Sequence, residues 1–175
     1  GEQVIRMNFR SPAAGLWRLR VYAEGQGNRT FNLWMPITNF LKEDTFFVSP
    51  EGTDTLTSPG DAIYGITYVP YDAASQSLYV RASQGYTRDG RVKPDLAAPG
   101  VDVHIPSPAA ASGDGRREIS RSGSSVAAAF GAGIGALMQE WAIVQGNDLS
   151  LNGQNMRFYL IQGADRPGAY DYPNR

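Results

Sequence analysis

Ser-Arg-Ser-Gly-Ser-Ser-Val-Ala-Ala-Ala-Phe-Gly-Ala-Gly, residues 120–133, is the stretch on which the fold of this chain turns. A cluster of hydroxyls runs directly into small apolar residues. The apolar character lasts to Met138, yields to Gln139 and Glu140, and resumes at Trp141, Ile143 and Val144. Apolar residues on every face predict a helix over residues 126–144 that is buried all round. Its uncharged part, residues 126–138, is shorter than the ~20 residues that cross a bilayer, which argues against a membrane span. Gly131, Gly133 and Gly135 each cost about 1 kcal/mol relative to alanine inside a helix, so close packing against neighbours is expected. At the helix start, Ser122 or Ser124 is positioned to cap by accepting a backbone N–H bond. The same place suits chemistry: N–H groups of the first turn are unpaired and the dipole is positive, which favours a developing oxyanion. A serine hydroxyl there still needs a base beside it.

Upstream of this helix the chain reads as strands and turns. In residues 16–22, Trp17, Leu19 and Val21 alternate with Arg18 and Arg20, the pattern of a strand with one buried face. Turn-forming residues follow, and residues 30–35 begin a second strand that Pro36 limits. Such a hairpin is marginal alone and is expected to belong to a larger sandwich. The polar, glycine-containing residues 51–60 mark the expected boundary, giving domains at 1–50 and 51–175. Short strands are predicted at residues 62–71, 78–82 and 101–105, a flexible loop at 109–115, and a second helix at 153–163, where Met156, Tyr159 and Leu160 share a face.

The 175 residues carry 17 acidic and 16 basic side chains, a net charge of -1 that gives no support to nucleic acid or an anionic membrane as main partner. With no cysteine there is no disulfide framework, thiolate metal site or cysteine nucleophile, and the compartment is left open. Asp54, Asp61 and Asp72 are too scattered for a calcium cage, so no metal and no cofactor are expected. The glycines of residues 131–135 lie inside a helix, where a dinucleotide fingerprint would need them before one. Asp95, between Pro94 and Pro99-Gly100, reads as a turn residue bonding its own backbone. Arg116-Arg117-Glu118 reads as a solvated loop, and His104, the one histidine, as a strand residue at the edge of the fold.

Gly123-Ser124-Ser125-Val126-Ala127-Ala128-Ala129-Phe130-Gly131-Ala132-Gly133 resembles the nucleophile motif of the subtilisin-like serine proteases, Gly-Thr-Ser-Met-Ala-(Ala/Ser)-Pro-His-Val-Ala-Gly. Asp89-Gly90-Arg91-Val92-Lys93-Pro94-Asp95-Leu96-Ala97-Ala98-Pro99-Gly100-Val101 is similar to the Gly-x-x-Lys-Pro-Asp-x-x-Ala-Pro-Gly-Val run of the same family. Leu33-Trp34-Met35-Pro36, Thr55-Leu56-Thr57-Ser58-Pro59-Gly60, the strand ending at Tyr71, and Glu140-Trp141 look like the spore-germination, Csp-like branch. Ser124 stands for the usual threonine, and Ala129 and Phe130 for proline and histidine that do no chemistry in the family.

What the resemblance implies is specific. Ser125 is the nucleophile of a serine endopeptidase working through an acyl-enzyme, with its own backbone N–H supporting the oxyanion. The fold is α/β, the C-terminal part of a mostly parallel sheet with a buried nucleophile helix, preceded by strands of an inserted jelly-roll β-sandwich. Residues 55–60 line the substrate cleft. The family's Asp-Thr-Gly, His-Gly-Thr and Gly-Asn motifs are not in these 175 residues, and a triad needs an imidazole and an orienting carboxylate. The chain is therefore expected to be the C-terminal portion of a longer protease, inactive by itself, from a bacterial secreted or spore-associated protein. Its expected partners are a protein or peptide substrate, the N-terminal portion of the same protease, and possible pairing with a second copy. Two alternatives stay open: a pseudoprotease or binding module of the same fold, and a carbohydrate-binding sandwich in residues 1–48.

Overall fold

The computed structural model describes residues 4–25, 27, 30–35, 41, 45–107 and 117–166. The chain divides into two compact units, Gly1–Phe46 and Phe47–Arg175. In the first, the described residues form no strand pairing, contrary to the hairpin expected from residues 16–22 and 30–35. Alternation marks a face ready for burial, but a strand also needs a neighbour to take its N–H and C=O groups. Trp17, Leu19 and Val21 remain 58%, 46% and 49% exposed. Local order comes from Trp17, whose Nε1 donates to Ala13 O at 2.9 Å and whose ring meets Phe9 edge to face with centroids 5.3 Å apart.

The second unit holds five strands and two helices among its described residues. β1 (Tyr68–Asp72) lies between β2 (Ser77–Leu78), antiparallel to it, and β3 (Leu96–Pro99), parallel to it with Tyr68 opposite Leu96 and Tyr71 opposite Pro99. β4 (Val103–Pro106) and β5 (Glu118–Arg121) form a separate antiparallel pair. A mixed three-stranded sheet and one antiparallel ribbon thus stand where a mostly parallel sheet was expected.

The strand of residues 62–71 begins late because its first half is used otherwise. Gly60 N and Ala62 N close turns onto Thr57 O and Pro59 O, and Gly65 O is taken by the Lys93 ammonium at 2.5 Å. Only past Thr67, whose carbonyl accepts from Asp95 N and Leu96 N, can β1 and β3 zip together. β2 is short because Ala82 N turns back to Tyr79 O at 2.8 Å. Glu118 opens β5 and Arg117 O accepts from Ser107 N, so the loop reading of Arg117-Glu118 is corrected to strand pairing, while both residues are solvent-exposed as expected. Both β3 and β5 went unforeseen because their short Ala/Pro-rich and charged sequences carry no two-residue alternation. The loop expected at 109–115 and the chain's last nine residues lie outside the described residues.

α1 (Ser124–Gln139) continues into a π-helical turn, Glu140–Val144, and α2 (Gly153–Gly163) follows the predicted bounds. α2 is capped by Asn152, whose side chain accepts from Gln154 N and Asn155 N. α1 packs on β1 and β3 along one stripe only. There Gly131 lies so close to the ring of Tyr68 that a Cβ would collide with it. Gly133 faces open space and Gly135 merely meets Met156, so the close approach expected of three glycines rests on one.

Burial all round is likewise corrected: within α1 only Ala127 and Gly131 are buried. Phe130, Ile134 and Leu137 stay 42%, 40% and 66% exposed, because no described element covers the face away from the sheet. Together with its π turn the helix runs 21 residues, long and apolar enough by length and composition to cross a membrane. The shorter uncharged run therefore understated it, although its sheet-packed stripe is that of a core helix.

Candidate active site

Ser125 is the second residue of α1, exposed at the helix start. Neither predicted serine caps that end. The N-cap is Gly123, with no side-chain cap bond, at φ 142 and ψ 170, a backbone conformation that side chains oppose. Ser122 turns the other way: its hydroxyl accepts from Asp102 N at 2.8 Å and approaches Asp102 Oδ1 at 3.2 Å. Ser120 is spent in β5, opposite His104.

What fixes the helix start is a run of backbone bonds through two glycines. Gly100 N donates to Tyr71 O at 2.9 Å, tying the loop after β3 to the end of β1. Gly123 N then donates to Gly100 O at 2.7 Å, and Gly123 O accepts from Val126 N at 3.1 Å. A Cβ on Gly100 would collide with Pro70 and come within 3.1 Å of Gly123 O. Sheet edge, loop and helix therefore meet with no room for a side chain. The N–H groups of Ser124 and Ser125 have no acceptor among the described residues, leaving two donors at the positive end of a 16-residue helix.

The same helix start borders a cleft of about 370 Å³. Residues 56–60 line it together with Tyr79, Arg81, Ala82 and Ser83, and Gly123 and Ser124 contribute from the helix start. Of the residues 55–60 expected to line a substrate cleft, 56–60 share one cavity with Ser124, the neighbour of Ser125, and Thr55 does not line it. Ser58 Oγ donates to Asp61 Oδ1 at 2.8 Å, which holds the wall's turn closed.

Beneath the wall lies a buried charge cluster that the sequence reading missed. Asp95, read as a turn residue, has a side chain 0% exposed, and Lys93 is 1% exposed beside it. Lys93 Nζ donates to Asp95 Oδ2 at 2.7 Å, and Thr67 N donates to the same oxygen at 2.7 Å. Arg157 from α2 closes on Asp95 Oδ1 at 2.7 Å as an ion pair without an aligned hydrogen bond. Thr67 Oγ1 carries the network to the cleft by donating to Gly60 O at 2.6 Å. Burial, and then the negative charge of Asp95, push the phenol of Tyr68 up from its ordinary pKa. The available signal was Lys93-Pro94-Asp95 itself: opposite charges two residues apart share one face of an extended segment.

By contrast, Asp89 sits in an exposed turn that Gly90 N closes by donating to Thr87 O at 2.8 Å. Hydrogen bonds from Arg91 and then Thr87 hold its carboxyl at about 2.

Among the described residues no imidazole or carboxylate bonds to Ser125. His104 lies on β4, its ring 73% exposed, with Nδ1 4.0 Å from Glu118 Oε2. That is the edge-strand position expected of it. Asp54, Asp61 and Asp72 do not converge, and among the described residues no group of three or more acidic or histidine side chains is placed to hold a metal.

A model of the subtilase family matches residues 5–174 of the chain. Among solved structures, the CspB protease of Clostridium perfringens is 32% identical and superposes with a TM-score of 0.67 over 76% of this chain. The alignment spans 28% of that protein's length. No curated protein sequence matches.

Proposed function

Because this chain belongs to the subtilase family, and within it to the Csp-like branch, we propose that it carries the nucleophile of a serine endopeptidase and that Ser125 is that nucleophile. The observation that supports this most is the helix start: an exposed Ser125 beside two N–H groups unpaired among the described residues, next to Ser124, which lines a cleft large enough for a substrate side chain. Ser125 Oγ attacks the scissile carbonyl carbon. The carbonyl oxygen takes the negative charge and is met by the Ser125 N–H; collapse expels the amine and leaves an acyl-enzyme, which water hydrolyses. The base that accepts the serine proton, its orienting carboxylate and a further oxyanion donor come from sequence beyond these 175 residues. Alone, the chain is then inactive.

The test is covalent labelling. A fluorophosphonate reacts only with an activated serine. With the protease in its full length, the adduct is expected on the peptide containing Ser125, accompanied by cleavage of casein. Absence of both the adduct and the cleavage would overturn the reading. The lack of a base on Ser125 among the described residues favours, as a second reading, a pseudoprotease whose cleft binds peptides without cutting them.

The proposal extends to the rest of the architecture. Residues 1–50 are read as the end of an inserted sandwich, for which the unpaired alternation of residues 16–22 speaks. The uncovered side of α1 and of the following turn, with Trp141 49% and Val144 79% exposed, is read as the face that the remainder of the domain covers. In the 175-residue chain alone a second copy takes that place. Light scattering on the isolated chain is expected to report a dimer, and a monodisperse monomer would count against this pairing.

A further inference from the structure

Arg81 is the one charged residue among those that line the cleft beside Ser124. No carboxylate pairs with it among the described residues: Asp89 holds Arg91, Asp95 holds Lys93 and Arg157, and Asp61 accepts from Ser58. Asp72, across the β1–β2 turn, is occupied by Ala74 N and the hydroxyl of Ser75. The rest of the lining is apolar or hydroxyl-bearing, with serine, threonine and tyrosine hydroxyls and no acidic side chain. A guanidinium cannot be neutralised at any physiological pH, and it offers a planar fork of donors that matches a carboxylate. An uncompensated cation among hydroxyls, in a concave site with no acidic residue in its lining, creates a positive potential that a ligand has to complement.

We infer that Arg81 sets the specificity of this cleft, selecting substrates that place an aspartate or glutamate side chain in it. The inference rests on the peptide-binding reading of the cleft but not on turnover. It makes Arg81 a group that touches substrate, distinct from the buried Lys93, whose charge is already consumed. Because Arg81 is exposed, the selection is modest, about fivefold for glutamate over glutamine, as befits a partly solvated ion pair. It weakens as ionic strength rises.

The experiment has two arms. In the first, the 175-residue chain is titrated with matched peptides, acetyl-Ala-Ala-Glu-amide and acetyl-Ala-Ala-Gln-amide, while the Arg81 Nε–H resonance is followed. In the second, the full-length protease is profiled on a peptide library varied on both sides of the scissile bond. Binding of the glutamate peptide about fivefold tighter, with a shift of the Arg81 resonance and loss of the preference in Arg81→Gln, supports the inference. Arg81→Glu should reverse the preference towards lysine. Acid preference in binding with no cleavage by the full-length protein leaves the specificity standing and sinks the protease reading. Cleavage without acid preference, or equal binding of the two peptides, overturns the role of Arg81 and leaves the protease reading intact.

Discussion

Ser125→Ala in the full-length protein is expected to lower turnover by roughly 10⁶-fold, down to the level that binding and oxyanion donors sustain without a nucleophile. The variant should fold as the parent does, because Ser125 is exposed and its side chain makes no hydrogen bond among the described residues. Loss of activity without loss of stability separates this serine from its neighbours. Ser122→Ala removes the bonds to Asp102, and Ser120→Ala changes only a strand residue. Neither should approach a millionfold loss. Steady-state hydrolysis of a chromogenic peptide, compared with the urea midpoint of each variant, reads both quantities. If Ser125→Ala keeps more than a hundredth of parental activity, the nucleophile lies elsewhere.

Asp95→Asn is expected to destabilise the second unit by about 3–5 kcal/mol, because it leaves the Lys93 ammonium buried without its counter-charge. That corresponds to a fall in Tm of roughly 10–20 °C for a unit of this size. Burial sets the size of the effect: side-chain exposures of 1% and 0% leave neither charge any water to fall back on. Adding Lys93→Met in the Asp95→Asn background removes the stranded charge, and at least ~1 kcal/mol should return. Full recovery is not expected, because Lys93 also bonds Gly65 O and Thr67 Oγ1, and these lose a donor. Differential scanning calorimetry of the parent, the single and the double variant tests the coupling. Equal stability of single and double variants would mean that Lys93 escapes to solvent when its partner goes.

The two regions with strong local grammar were legible from the sequence. α2 announces itself through Met156, Tyr159 and Leu160, and the glycine-flanked serine cluster marks the start of α1. The assignment of Ser125 rests on motif resemblance, because a serine in a first turn is in itself an ordinary helix start. What escaped notice depends on contacts between distant residues. Arg157 reaches Asp95 across 62 positions of sequence, and nothing near Asp95 predicts it. The bonds between Gly100 and Gly123 are likewise made by backbone atoms, which every sequence possesses. Caps were misread for a related reason: Ser122 had two available backbone partners, and the one at Asp102 won. The strands expected in residues 16–22 and 30–35 show the limit of alternation, which predicts a face but not the neighbour that must cover it.

The bonds joining Gly100 to Gly123 and Asp102 to Ser122 act together as a double staple across the neck of the β4–β5 ribbon. The described residues of β4 and β5 between Asp102 and Ser122 lie outside the path of bonds from the sheet to Ser125. Closing a longer excursion costs little, about 0.6 kcal/mol for each doubling of its length. The ribbon is thus an evolutionary spare room. Its length and sequence can drift, or a foreign recognition segment can be grafted into it, while the serine keeps its address.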